Sequence, residues 1–464
     1  MITLHFQELA TSLSGELNNT GYANASFRGV SIDTRTLVGG QLYVAVRGVN
    51  HDGHTFIDDA ARGGAAGVLA ERSHDHWSKF PASLPVVGVN DTHIALMAMA
   101  TKYLAATGIR KIGITGSNGK TTTKEMTYAL LTAVTTGAYR SPGNLNNLYG
   151  LPLSILDMPD DTTVGVFELG ISLPDEMGRL ATIVQPDVIV ITNVGASHLE
   201  FLGSVEGVAR AKLELVRRAA DTVPVVVNAD SPVLMAEARK IRSTLTTFGI
   251  KNAADYMPEQ IETDDSGATH VSIDGHEFVL PLFGHHQVYN LLAAVASVKA
   301  LGFDFDNVDT KTIALDTVSM RGQIIDVHGV TIVADCYNAN PDSMRSGLDS
   351  LKAHSTSGRT VIVLGDMLEL GEVSTAMHEE LGLHLAETPC DLAVVVGPES
   401  VNVREAAVTA GMDPDCIRHA DNAEQAAGFL VTELRAGDLM FIKGSRGIGL
   451  EKIIDRWREA GGRA

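Results

Sequence analysis

The residues whose types and spacing could do chemistry are concentrated between positions 111 and 123. The run Lys111-Ile-Gly-Ile-Thr-Gly-Ser-Asn-Gly-Lys-Thr-Thr-Thr123 reads as a short apolar strand, a glycine-bearing turn and the start of a helix-favouring segment. Gly116 and Gly119 let the backbone around Ser117 and Asn118 aim its N–H groups at phosphate oxygens. The helix start adds partial positive charge, Lys120 adds a full one, and the Thr121 hydroxyl, followed by Thr122, can ligate Mg²⁺. The loop has the short form GxxGKTT rather than GxxxxGK[ST], because Ile114 stands five residues before Gly119. The predicted ligand is a nucleoside triphosphate.

Other candidates emerge from predicted strand ends, where parallel α/β sheets bind ligands. Thr163–Ile171 reads as a buried strand with Glu168 near its end, and an acid there is costly to bury unless it meets a cation, which suggests Mg²⁺. Asp187–Val194 is the next strand and leads to His198, beside Glu168 and Lys120 in the same sheet. Asn144, Asn146 and Asn147 lie in a turn-rich loop offering neutral hydrogen bonds to an anion or a sugar. Lys212 sits next to the apolar face of the predicted helix 204–216, and its simple reading is a snorkelling surface lysine. Asn290 projects from the first turn of an alanine-rich helix, where it could read a base edge.

The elements that must position these groups divide into three predicted domains. Residues 1–89 read as a small α/β domain with a polar knot, Ser31, Asp33, Thr34 and Arg35, that could grip a sugar or diphosphate or simply close a strand end. His51 and His54, in a glycine-containing turn without a third ligand, are expected to be solvated loop residues. Residues 90–316 hold the glycine loop, a mostly parallel sheet, and β hairpins over 246–283. Residues 317–464 alternate strands (330–335, 360–364, 392–396, 439–442) with helices (341–353, 374–387, 399–410, 422–434, 449–460), a doubly wound, Rossmann-like pattern. Arg321 marks its start. Asp335, Asn338, Asn340 and Ser343 follow its first strand, Lys443–Arg446 its last, and the acidic loop 365–372 lies on the same edge.

Composition limits the partners. The 464 residues carry a formal charge of −20, which argues against a general nucleic-acid surface, so an anionic ligand must meet locally gathered cations. Three cysteines, Cys336, Cys390 and Cys416, are too few and too scattered for a disulfide framework or a zinc site. No apolar run approaches bilayer-spanning length and no signal peptide is apparent, so a cytoplasmic protein without membrane insertion is expected.

Taken together, SIDTR, DGHTFI, TGSNGKTT, PGNLNN, FELGIS, ITNVGASHLEFLGSVEGVARAK, VYNLLAA, YNANPDSM, LGDMLELGE and KGSRG resemble the Mur ligase family of peptidoglycan synthesis along essentially the whole chain. YNANPDSM and GDMLELGE resemble most closely the member that completes the peptide. The resemblance implies ATP with two Mg²⁺ ions, and a monomer that joins D-alanyl-D-alanine to UDP-N-acetylmuramoyl-tripeptide. It implies that Lys120 and Thr121 hold phosphates and Mg²⁺, that Glu168 binds one metal ion, and that His198 and a carbamylated Lys212 serve the second. Asn144 would lie near the reacting phosphate, Asn290 would contact adenine, Arg321 the phosphates or ribose, and Asp335 the ribose. Ser31, Asp33 and Arg35 would belong to the uridine-diphosphate domain, and Asn338, Asn340 and Ser343 would approach the dipeptide. Gln287 departs from the family's Gly-x-His-Asn pattern, so an adenine contact at that position is in question. The rival expectations are a sister ligase or a folylpolyglutamate-synthase-like ligase adding one amino acid, and a nucleotide-binding regulator without catalysis.

Overall fold

The computed structural model describes residues 1–48, 51–73, 83–197, 199–264, 268–315, 319–352 and 358–461. Its centre is a six-stranded parallel sheet in the spatial order Thr246–Phe248, Val225–Asn228, Val188–Ile191, Arg110–Thr115, Val164–Glu168, Ala138–Arg140. The strands are apolar on both faces, as a parallel sheet covered by helices requires. Alternation sorts them. Ile112, Ile114, Val166 and Val190 pack under the helices Lys120–Val134 and His286–Ala300, while Phe167, Ile189 and Ile191 face the opposite core. The chain runs from Arg110–Thr115 to one edge, returns through Val164–Glu168, then crosses to Val188–Ile191. That reversal opens a crevice at the carboxyl ends of three strands, where the glycine loop and Glu168 lie.

The N-terminal sheet has the order Glu16–Leu17, Val86–Val89, Gly67–Glu71, Leu42–Val44, Val30–Ser31, antiparallel only at its first pair. It does not seal its own core. Phe6, Leu9, Phe27 and Val87 belong to one continuous buried cluster with Leu96, Met99, Leu151, Phe167 and Leu213, and the Ile2 N–H donates to Leu156 O at 2.8 Å. The helix Thr92–Thr107, started by Asp91 accepting the Ile94 N–H, is the wall shared by both sheets. The expected hairpins exist as the antiparallel sheet Gln260–Thr263, Thr269–Ile273, His276–Leu280, but Thr246–Phe248 instead extends the parallel sheet at its edge.

The C-terminal sheet runs Gln323–Val327, Val330–Asp335, Leu439–Lys443, Thr360–Gly365, Leu392–Val396, Ile417–Ala420. All pairs are parallel except the first, a hairpin through His328-Gly329. Both edge strands escape the pattern reading because they are short and half-exposed, without a run of apolar residues to announce them. Among the described residues, no helix is long and apolar enough to cross a membrane.

Candidate active site

A cleft of about 740 Å³ opens where the carboxyl ends of the central and C-terminal sheets face each other. It is lined by Ser117 to Thr122, Asn144, Asn146, Asn147, Glu168, Asn290, Arg321, Asp335, Asn338, Asn340 and Ser343, so residues more than 220 positions apart in the chain meet there. Its cations, Lys120, Lys251, Arg321 and Lys443, are the local positive groups that an acidic protein needs to receive phosphates.

The glycine loop is clamped from behind by the segment after Val188–Ile191. Asn193 accepts the Ser117 N–H on its carbonyl at 3.0 Å and the Asn118 N–H on Oδ1 at 2.8 Å, and Thr192 Oγ1 donates to Asn118 O at 2.5 Å. The approach is close enough to demand glycine. A Cβ on Gly116, at φ +151°, would meet Thr192 Oγ1 at 1.9 Å, and one on Gly119, at φ +79°, would meet Asn290 Oδ1 at 2.2 Å. Gly119 then starts the helix Lys120–Val134, whose first-turn N–H groups have no intrahelical acceptor and point at the cleft. Lys120 Nζ donates to Gly116 O at 2.8 Å and Ser117 O at 3.2 Å. Burial lowers its pKa; the Glu168 charge opposes that shift and Arg321 adds to it, which places all three groups in Coulombic range.

Glu168 is 2% exposed. Asn146 Nδ2 donates to its Oε1 at 2.8 Å, while Oε2 is buried without a hydrogen bond among the described residues. A buried carboxylate oxygen left unbonded fits a hard cation, which prefers oxygen donors. Together with Thr121, which begins the same cleft wall, it forms a reasonable donor set for Mg²⁺.

The three amides of the 144–147 loop separate in role. Asn147 Oδ1 accepts the Tyr149 and Gly150 N–H groups and so caps the helix Gly150–Leu156; Asn146 orients Glu168; Asn144 alone keeps its side chain without an internal partner among the described residues. Lys212 overturns the snorkelling reading. It is 1% exposed, makes no hydrogen bond or ion pair among the described residues, and has its pKa driven well below the ordinary lysine value, first by burial and then by the Lys120 charge. His198 lies outside the described residues.

Asn290, which lines the cleft, also has partners within the protein. Its Oδ1 accepts from Thr123 Oγ1 at 3.3 Å, its Nδ2 donates to Gln287 Oε1 at 2.9 Å, and it presses on Gly119, so it buttresses the glycine loop. Gln287 completes the strut by donating to Arg321 O at 3.0 Å. The glutamine side chain thus holds Asn290, which in turn meets Thr123 of the glycine-loop helix, and also reaches the start of the C-terminal domain.

On the facing domain, Asp335 lines the cleft and pairs through Oδ2 with the buried Lys443 at 2.6 Å. Arg321 stacks over the Tyr337 ring at 4.1 Å, and Arg446 approaches the same ring at 5.7 Å. Asn340 caps the helix Pro341–Lys352 by accepting the Ser343 N–H at 2.9 Å, and its Nδ2 donates to Asn118 Oδ1 at 2.6 Å. Beside it, Asp342 Oδ2 accepts the Ala196 N–H at 3.2 Å. Asn340 and Asp342 therefore hold the domain contact, the Ser343 hydroxyl bonds only to Asn340 among the described residues, and Asn338 lines the cleft. The acidic loop 365–372 is braced from within by His378, which accepts the Met367 N–H at 3.0 Å, and tied to the last strand by Ser445, which accepts the Leu368 N–H at 3.0 Å.

The polar knot lies away from this cleft. Arg35 makes a two-pronged contact with Asp33, Ser31 Oγ accepts the Asp33 N–H at 3.2 Å, and neither these residues nor Thr34 lines the cavity. His54 is not solvated; it is buried, donating to Asp52 and accepting the Glu71 N–H at 2.9 Å, a pin between turn and strand. Sequence reasoning missed Asn193, Tyr337, Asp342 and, above all, Lys124, one turn after Lys120. Its signal was a lysine inside a helix whose neighbours are otherwise buried.

Known proteins match this architecture along its length. The Mur ligase family, catalytic domain model covers residues 26–104, the Mur ligase middle domain 114–298, and the Mur ligase, glutamate ligase domain 320–446. UDP-N-acetylmuramoyl-tripeptide--D-alanyl-D-alanine ligase from Bacillus subtilis is 34% identical over 98% of both chains. The crystal structure of MurF from Acinetobacter baumannii superposes with a TM-score of 0.87, at 27% identity over 99% of each chain. MurF ligase from Thermotoga maritima, solved in complex with ADP, gives 0.81 at 31% identity, covering 93% of this chain and 97% of that one. With glycine loop, cleft and three matched domains in the order those relatives share, this chain belongs to the Mur ligase family.

Proposed function

We infer that the protein is an ATP-dependent amide ligase that joins D-alanyl-D-alanine to UDP-N-acetylmuramoyl-tripeptide, yielding UDP-N-acetylmuramoyl-pentapeptide, ADP and phosphate. The observation that carries this reading is full-length kinship with ligases of that name, combined with a single cleft lined by the glycine loop, Glu168 and the 338–343 loop.

The chemistry follows from the leaving group. A carboxylate oxygen is a poor one, so the tripeptide carboxylate first attacks the γ-phosphorus of ATP and ADP departs, leaving an acyl phosphate. The dipeptide amine then adds to the acyl carbon, loses its proton, and the tetrahedral intermediate collapses to amide and inorganic phosphate. Lys120 and the helix N-terminus offset charge on the phosphoryl oxygens throughout. When bound, Mg²⁺ supplies further neutralisation and alignment of those oxygens. Thr121 and Glu168 would hold one ion; His198 and Lys212 would serve the other. Burial, which lowers the Lys212 pKa, favours the amine form that adds to CO₂ with release of a proton, and carbamylation would turn Lys212 into an oxygen ligand. Asn144, whose amide is uncommitted, would contact the transferring phosphoryl group. Arg321 with Tyr337 and Arg446 would flank the nucleotide, and Asn338 the dipeptide. Closing of the C-terminal domain through Asn340 and Asp342 would exclude water from the acyl phosphate. The uridine diphosphate end would rest on the N-terminal domain near Ser31–Arg35. We place the enzyme in the cytoplasm as a monomer.

The test offers purified protein ATP, the UDP-tripeptide and, in turn, D-alanyl-D-alanine, single amino acids and glutamate, and measures phosphate release. D-alanyl-D-alanine should drive it, and Lys120→Ala should lower kcat/KM roughly 10³-fold. Preference for a single amino acid would replace this reading with that of a sister ligase, and acceptor-independent ATP binding alone with that of a regulator.

A further inference from the structure

Lys124 is a buried cation that the chemistry above does not use. It is 0% exposed, and it sits four residues after Lys120, hence on the same face of the glycine-loop helix one turn further in. Its Nζ donates to Ser141 O and Gly143 O, both at 2.8 Å, pinning the start of the loop that presents Asn144 and Asn146. The third donor is left between two carboxylates, Glu125 Oε1 at 3.1 Å and Glu168 Oε2 at 3.7 Å. Glu125 has a second cation, Arg140 at 2.5 Å, which itself lies over Tyr128. Glu168 has no other cation within ion-pair distance among the described residues. Lys124 therefore compensates the Glu168 charge at a range that leaves Oε2 unbonded, while Asn146 fixes the other oxygen.

We propose that Lys124 is a positioning residue for the metal-binding carboxylate: it pairs with Glu168 and orients it inside the protein without occupying the oxygen that a divalent cation needs. A hydrogen-bonded lysine would compete with the metal, and an apolar residue would leave two carboxylates on one buried wall with a single arginine. The same ammonium couples that carboxylate to the Asn144 loop, so one side chain sets the position of both.

The inference rests on the reading of Glu168 as a Mg²⁺ ligand, and the experiment separates the two. A β,γ-methylene ATP analogue is titrated calorimetrically into the full-length protein with Mg²⁺ and, separately, in EDTA. Glu168→Gln should lose the affinity gained from Mg²⁺. Lys124→Met should lose roughly 10-fold or more of the same gain, the scale of mutating an outer partner of a metal ligand, with its EDTA affinity unchanged. The double variant should lose no more than Glu168→Gln alone. A full Mg²⁺ gain in Lys124→Met, or equal losses with and without metal, would overturn the positioning role. A full gain in Glu168→Gln would overturn both that role and the ligand assignment beneath it. Should circular dichroism show Lys124→Met unfolded, Lys124→Gln combined with Glu125→Gln removes one charge of each sign and keeps an amide for the loop carbonyls. That variant should show the same loss, and a retained gain in it would equally refute the proposal.

Discussion

The glycine-loop cleft and the Ser31–Arg35 knot are both polar clusters at the ends of parallel strands, yet they are built in opposite ways. In the knot, Asp33 and Arg35 satisfy one another two residues apart, at the surface, and the arrangement would survive if most of the protein were removed. In the cleft, although Lys120 donates to carbonyls of its own loop, the groups behind it lean on distant partners. Glu168 depends on Asn146 and Lys124, Lys124 on carbonyls 17 and 19 residues away, Asn118 on Asn340 across a domain boundary, and Lys212 on no partner among the described residues. Local pairs cost little and constrain little. Distant ones hold charge in a poorly solvated place, where it can act on a ligand but strains the fold that contains it.

Lys212 is the sharpest way to break this contrast. A buried ammonium without a counter-ion destabilises, or deprotonates at a cost that folding must absorb. Lys212→Met should therefore raise the thermal midpoint by roughly 2–4 °C in bicarbonate-free buffer, the shift expected for about 1 kcal/mol in a chain of such domains. Ligation should fall by about 100-fold or more, on the scale of losing one charge-stabilising group. A variant that is both less stable and fully active would show Lys212 to be ordinary packing, and the cleft no more strained than the knot.

These two designs also explain what could be read from the chain in advance. The strand, loop and helix around Lys120 were legible because their signals are local: apolar alternation, glycine spacing, and a helix that begins at its first good former. So was the Ser31–Arg35 turn. Lys124 was hidden because only the fold brings Ser141, Gly143 and Glu168 to it, and Gln287 looked anomalous because its partners, Asn290 and the Arg321 carbonyl, lie one turn away and in the next domain. Two of the three asparagines in the 144–147 loop have internal partners that the sequence did not reveal, since a capping amide and a ligand-seeking amide are identical in sequence. The boundary near residue 89 divides two sheets but not the apolar core, which continues through the helix Thr92–Thr107.

The domain contact gives a smaller effect. Asn118 belongs to the glycine loop and Asn340 to the facing domain, so their amide pair links the phosphate site to closure directly. Asn340→Ala should reduce kcat about 10-fold, one to two neutral hydrogen bonds' worth, with ATP affinity little changed. Because Asn340 also caps its helix, Asn118→Ala is the control, and the double variant should cost less than the sum of the two singles. Strict additivity would show that the two amides act separately and that the cleft is not closed through the glycine loop.

The knot should yield the smallest change, and that is its test. The hydrogen bonds from Arg35, from its guanidinium first and its backbone N–H second, hold the Asp33 carboxyl down at about 2, below its value near 4 in an unfolded chain. A carboxylate whose folded pKa is depressed contributes stability that is complete above the unfolded value and is lost as pH falls through the folded one, here between about 4 and 2. Because the pair is exposed, Arg35→Ala should move the thermal midpoint at pH 7 by no more than about a degree. Its midpoint should then fall less steeply than that of the unsubstituted protein between pH 4 and 2. If the pair also receives the uridine diphosphate end, the same variant raises KM for the nucleotide-sugar substrate and leaves KM for ATP unchanged, since the cavity holding the glycine loop does not include it. A large loss of stability at neutral pH would mean that this short-range pair is tied into the core after all, and the contrast between the two clusters would fail at its simpler member.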